Sequence, residues 1–242
     1  MLIDTLGMTE HTGAPRAAPA TTMMAVLISL FVALGFVAHA TAAGTTGDHA
    51  VLAWMVHHRH PWLTALAITV TNLGSPAGVA VIAIAAAAVA WWRVGSARPA
   101  LLILTTLVVA STVSTLTKSI VGAHRPARAV QLVVETDRSF PSGHVTGTLA
   151  LLGVLAVVIG QHARRSACVA MIALAGAATI AVGLTRLYLG VHWATDIAGG
   201  LLLGTAAVVG AYLTYRRMMG TSDTAGRAST SAPSPSPPTI GA

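Results

Sequence analysis

The sequence predicts an all-α, polytopic membrane protein with about six transmembrane helices, and three observations lead there. Of its 242 residues, 55% are hydrophobic and only 9% are charged, whereas soluble domains carry about 25% charged residues. The apolar runs are long enough to span a bilayer, which takes about 20 residues each. They are rich in Ala, Val, Leu and Gly, residues that let helices pack closely in lipid. The single cysteine, Cys168, permits no disulfide within the chain and says nothing about redox compartment. The formal charge of +7 is spread over several short loops. That distribution argues against a nucleic-acid partner and for the bilayer and a phosphate-bearing substrate.

Taken in order, residues 1–21 are polar, carry Pro15 and Pro19, and read as a mobile tail. Residues 22–43 are an uninterrupted apolar run, the first span. Its end, Ala38-His39-Ala40-Thr41-Ala42, resembles a small-residue cleavage site, so a removed signal peptide is one reading of residues 1–43, although the run exceeds a usual signal core of ~7–15 residues. His39 reads as interfacial. Asp48 can cap a short segment in which Val51, Leu52 and Met55 fall at helical spacing beside Trp54, a pattern for a helix lying in the membrane interface. His57-His58-Arg59-His60 lacks a Cys or carboxylate to complete a metal site and reads as an interfacial cap. Pro61 opens a second short helix through Leu73, and Gly74-Ser75-Pro76 is a helix stop, N-cap and first-turn proline.

Residues 76–92 are the second span, closed by the aromatic and cationic anchor Trp91-Trp92-Arg93. Residues 99–117 are the third span, with Lys118 in its last turn, followed by a polar segment to Pro141. Residues 144–160, 166–184 and 193–215 are the fourth, fifth and sixth spans. The membrane-embedded domain is expected over 22–220, and the Ser/Pro-rich residues 221–242 read as a disordered tail. With the N-terminus inside, the inner segments hold slightly more of the 14 Lys and Arg residues, which predicts both termini in the cytoplasm. The 118–141 and 185–192 loops then share the outer face. Only the hairpin of spans four and five separates them, so they share a face in either orientation.

Three polar stretches therefore meet at one membrane face. The first is Lys118 through His124 to Arg125-Pro126, the second Pro141-Ser142-Gly143-His144, and the third Thr185-Arg186 through His192 to Asp196. His192 and Asp196, four apart, share a helical face. A carboxylate there can hold one ring nitrogen and leave the other free to act on a substrate; the plainer reading is a helix N-terminus with an incidental ion pair. Lys118, Arg125 and Arg186 supply permanent cations, and the helix start after Ser142-Gly143 offers free N–H groups to an anion. Such a pocket is organised for phosphate. The nearby acids Glu135 and Asp137 read as solvated loop residues, too few for a two-metal site. His124 reads as a structural or substrate-loop residue.

These stretches resemble the signature of the type-2 phosphatidic acid phosphatase superfamily, which is related to vanadium haloperoxidases and bacterial acid phosphatases. Lysine, six residues, Arg-Pro is met by Lys118, Arg125 and Pro126. Pro-Ser-Gly-His is met by Pro141 to His144. Arginine, five residues, His, three residues, Asp is met by Arg186, His192 and Asp196, with Thr185 where the family usually has Ser. The resemblance covers about residues 71–212 and implies a phosphatase/haloperoxidase-like helical core. It implies that His192 attacks phosphorus to give a phosphohistidine, that Asp196 orients His192, and that His144 protonates the leaving oxygen and then activates water. Lys118, Arg125, Ser142, Gly143 and Arg186 are implied as phosphate-binding, with no cofactor and no metal. A lipid phosphate or diphosphate is the expected substrate, a polyprenyl diphosphate of the undecaprenyl type first and phosphatidate or phosphatidylglycerophosphate second. A phosphotransferase or an anion transporter is a more distant alternative.

Overall fold

The protein is described here by a computed structural model, covering residues 17–230 except residue 162. The tail before residue 17 and the Pro-rich residues 231–242 lie outside the described residues. Every described regular element is helical: α1 (Ala17–Thr41), α2 (Thr46–His57), α3 (Pro61–Leu73), α4 (Pro76–Val94), α5 (Ala97–Val121), a 3-10 turn (Arg128–Val130), α6 (Gly143–Gly160), α7 (Arg165–Tyr188) and α8 (Ala194–Thr230). Six of these helices are long and apolar enough to cross a membrane.

The helix ends follow local chemistry. Ser75 caps α4 by accepting from Gly78 N–H at 3.0 Å, Pro76 fills its first position, and Gly95 closes it with φ 67°. Gly122 closes α5 in the same left-handed conformation, φ 68°. Two ends depart from the sequence reading. Helix α7 runs through Arg186 to Tyr188, so Arg186 sits in a last helical turn and not in the expected loop; the first breaker after it is Gly190. Helix α8 continues to Thr230, well into the tail expected from residue 221, because no proline interrupts the chain before Pro233.

Helix α6 is the most enclosed span, and more than half of it is buried. It packs on α5, α7 and α8, while α1 lies against α8. The main core joins Leu102, Ile103 and Leu107 of α5, Leu151 and Val154 of α6, and Val209 and Tyr212 of α8, with Met23 and Leu27 of α1 against it. Close approach of α6 and α8 needs Gly204, where an added Cβ would stand 2.9 Å from the Cβ of Leu149.

The short helix α2 packs against α7 and α8, and α3 packs against α7, at the same end of the bundle. Asp48 caps two helices at once. Its Oδ2 accepts from Thr45 N–H (2.9 Å) and Thr45 Oγ (2.9 Å) in a capping box on α2, and from Thr195 Oγ (3.0 Å), while its Oδ1 accepts from Thr195 N–H (2.9 Å) at the start of α8. Asp48 is buried. Asp48→Ala uncaps both helices and is expected to destabilise the protein by about 2–3 kcal/mol. The measurement is the unfolding midpoint in detergent, against Asp48→Asn, which keeps acceptor capacity and loses less.

The His57–His60 stretch is also more than an interfacial cap. Arg59 donates to the carbonyls of Tyr188 (3.0 Å) and Val130 (2.8 Å), and the hydroxyl of Tyr188 accepts from His60 N–H at 2.8 Å. Helix α3 is thereby tied to the end of α7 and to the loop after α5.

Candidate active site

The ends of α5 and α7 and the starts of α6 and α8 meet at one end of the bundle. Backbone hydrogen bonds join them there: Ser142 N–H to Asp196 O at 3.0 Å, and Leu132 N–H to Leu189 O at 2.9 Å. The turn between α7 and α8 needs Gly190, which has φ 71°; a Cβ there would lie 2.5 Å from the Val130 carbonyl and 2.8 Å from Arg59.

That turn presents His192. His192 precedes α8, and Asp196 lies in its first turn, so the two do not share a helical face as the spacing alone implies. Asp196 reaches back, as an acid in a first helical turn does, and accepts from Trp193 N–H at 2.8 Å and His192 Nδ1 at 3.1 Å. The hydroxyl of Ser139 donates to the same oxygen. On its other side, His192 Nε2 accepts from Arg125 Nη1 at 3.1 Å. A guanidinium has donors only and an ionised carboxylate acceptors only. The neutral ring therefore carries its proton on Nδ1, toward Asp196, and its lone pair on Nε2, toward Arg125 and the cavity.

Burial holds the pKa of His192 well below its ordinary 6.5, and the positive charges of Arg125, Arg186 and Lys118 act in the same direction. The unfolded chain takes up this proton near pH 6.5 and the folded protein resists it. The contribution to stability is whole above that pH and declines as pH falls below it toward the folded value. The unfolding midpoint is accordingly expected to drop between about pH 7 and pH 5, and to drop less in His192→Asn, which has no ring to titrate.

The three cations converge on the same space. Lys118 Nζ donates to the Arg138 carbonyl at 2.5 Å and pairs with Asp137 at 3.1 Å. Arg125 pairs with Asp137 at 2.5 Å and donates to the Val191 carbonyl at 2.6 Å. Arg186, 1% exposed, donates to Thr71 Oγ at 3.0 Å and pairs with Glu135. Glu135 and Asp137 are thus not merely solvated loop residues; each carboxylate sits on the fork of a cation. Burial works against the charged form of Asp137, but Lys118 and Arg125 outweigh it and hold the carboxyl below its ordinary value. Ion pairing in a partly enclosed site is a tertiary property that loop composition does not reveal.

A cavity of about 1050 Å³ opens over this cluster, lined at one end by Lys118, Arg125, Gly143, His144, Arg186 and His192. Ser142 and Asp196 lie behind that wall. The Ser142 hydroxyl is buried and has no hydrogen-bond partner, and Arg186 Nε is in the same condition. The other end is apolar. It runs between α4 and α5 past Val79, Ala83 and Ile84 on one side and Leu107, Val108 and Leu104 on the other. From Lys118 to Leu104 is about 20 Å of helix. Ile84 and Val108 are 62% and 64% exposed, so the slot is open sideways to the surrounding medium.

His124 reaches the site through its backbone: its carbonyl accepts from Trp193 Nε1 at 2.8 Å and its N–H donates to Ala42 O at 2.6 Å. Sequence reasoning passed over Thr71, Ser139, Glu135 and Asp137 as partners. The closeness of Ser139 to the Pro141–His144 stretch is the one signal that pointed toward any of them.

Residues 99–219, half of the chain, match the PAP2 superfamily profile. The chain belongs to the PAP2 superfamily. It is 32% identical to phosphatidylglycerophosphatase B of Bacillus subtilis (strain 168) over 183 residues, 74% of this chain and 87% of that protein. Its structure is similar to the crystal structure of a transmembrane PAP2-type phosphatidylglycerolphosphate phosphatase from Bacillus subtilis, with a TM-score of 0.73 and 25% identity, covering 80% of this chain and 96% of that one. The Aquifex aeolicus LpxE structure shares the fold, with a TM-score of 0.54 and 20% identity, over 68% of this chain and 93% of that one. This PAP2 protein is a multi-pass membrane lipid phosphatase that hydrolyses phosphate esters.

Proposed function

We propose that this protein is a metal-independent phosphatase of glycerophospholipid phosphomonoesters, phosphatidylglycerophosphate first among them, working through a phosphohistidine on His192. The observation that carries the reading is the shape of the cavity, a cationic end with two imidazoles continuous with an apolar slot open to the membrane. A phosphate held by Lys118, Arg125 and Arg186 leaves its lipid tails in that slot. In the first step, His192 Nε2 attacks phosphorus, the phosphorus–oxygen bond of the ester breaks, and His144 gives its proton to the leaving oxygen. In the second, His144 takes a proton from water, the water oxygen bonds to phosphorus, and the phosphorus–nitrogen bond returns its electron pair to His192. Asp196 holds the tautomer and offsets the charge on His192 between the steps. The cations, with the uncapped N–H groups of Gly143 and His144 at the start of α6, stabilise charge developing on the phosphoryl oxygens.

Similarity to the phosphatidylglycerophosphatases supports the lipid class. A polyprenyl diphosphate, the first expectation from the sequence, becomes the second reading; it is kept because three converging cations suit a group more highly charged than a monoester. An anion carrier is disfavoured, since such proteins place paired charges near mid-membrane and the ion pairs here gather at one end. Arg93, Arg98, Arg164, Arg165 and Arg216 lie toward the opposite end, which supports an extracytoplasmic site with both termini in the cytoplasm. The deciding assay is phosphate release by purified protein in excess EDTA from phosphatidylglycerophosphate, phosphatidate, a long-chain polyprenyl diphosphate and a soluble phosphate ester. The lipids are expected to be turned over far faster than the soluble ester. Equal kcat/KM for the soluble ester would overturn the slot, and loss of activity on chelation would overturn the metal-free chemistry.

The resting carboxylates compete with the substrate for the same forks. Glu135→Gln with Asp137→Asn is expected to strengthen inhibition by free phosphate by about tenfold, as charged competing partners are removed. Inhibition constants measured at fixed ionic strength check this; weaker inhibition would mean that the acids serve to hold the cations in place.

A further inference from the structure

Several hydroxyls on the long helices are satisfied by a carbonyl one turn back. Thr105, Thr106, Ser119, Thr146, Thr179 and Thr205 all bond in this way. Ser114 does not. It lies on α5, 4% exposed, and its Oγ has no hydrogen-bond partner. It is on the wall of the cavity. It precedes Lys118 by one helical turn, so both present to the same face. Across from it is Gly143, where an added Cβ would stand 4.0 Å from the Ser114 hydroxyl. Gly143 begins α6, and no side chain caps the first N–H groups of that helix. A buried hydroxyl left without a partner is costly, and here the open side of the hydroxyl is the space between a lysine and a helix N-terminus.

We propose that Ser114 is a further substrate-binding residue, its Oγ donating a hydrogen bond to a phosphoryl oxygen held between Lys118 and the start of α6. The proposal rests on the cavity being the phosphate site. Thr148 provides the comparison. Its hydroxyl is also buried and unpartnered, but it faces Gly74 and lies off the cavity wall.

The test measures orthovanadate inhibition and the kinetics of phosphatidate hydrolysis on full-length protein in detergent, for wild type, Ser114→Ala, Ser114→Cys and Thr148→Ala. Ser114→Ala is expected to weaken vanadate inhibition and lower kcat/KM, each by about tenfold, with Thr148→Ala unchanged in both. Ser114→Cys keeps a weak donor at similar volume and is expected to fall between; it stands in for Ser114→Ala should the latter not fold. A folded Ser114 variant with wild-type vanadate affinity overturns the proposal while leaving the phosphate cavity intact. Wild-type enzyme that vanadate does not inhibit overturns the cavity reading and the role of Ser114 with it.

Discussion

Replacing His192 with alanine is expected to cut turnover of every phosphate ester by at least about 10⁴-fold and to leave the protein folded. The loss follows from geometry. Nε2 of His192 is a lone pair held neutral by burial and by surrounding cations, directed into the cavity and contacted by a guanidinium that cannot take its place as a nucleophile. The fold survives because its neighbours keep other partners. Asp196 retains Ser139 and Trp193 N–H, and Arg125 retains Asp137 and the Val191 carbonyl. Phosphate release and the unfolding midpoint are to be measured on the same preparation. Folded His192→Ala with more than about one hundredth of wild-type turnover would remove the nucleophile assignment, since a lost nucleophile costs several orders of magnitude.

His144→Ala is expected to separate the two chemical steps. An aryl phosphate has a leaving group that needs no proton, so the first step proceeds without His144. The second still needs a base to activate water. Steady-state turnover falls by about 10²–10⁴-fold, and phosphoryl label accumulates on the enzyme in an acid-labile form. With a lipid phosphate, whose alkoxide does need a proton, both steps fail and no label accumulates. Label from the aryl ester that persists in a His144→Ala, His192→Ala double variant would place the nucleophile elsewhere. Absence of label in His144→Ala with both esters would deny that His144 serves the second step.

Much of this arrangement was legible in the sequence where the causes are local. Hydropathy over some twenty residues is a local sum, and the six expected spans correspond to six helices. Gly74-Ser75-Pro76 ends one helix and caps the next through its own backbone and hydroxyl. The four-residue interval from His192 to Asp196 brought them together, although through a first-turn side chain reaching back and not through a shared helical face. Thr185 and Arg186 are polar and read as loop, while the element that ends the helix is Gly190. The composition from residue 221 reads as a tail, whereas α8 runs on to Thr230 where no breaker interrupts it.

By itself, then, the sequence determined the spans, the membrane setting and the three polar stretches, because each depends on residues near one another along the chain. Only the tertiary structure decided that Glu135 and Asp137 occupy the cations, that Ser139 supports Asp196, that Asp48 caps two helices, and that an apolar slot continues from the charged end. These are ordinary polar residues whose tertiary partners lie 12 to 147 positions away. Their roles arise from which segments the packed bundle brings into contact, and no local pattern records that.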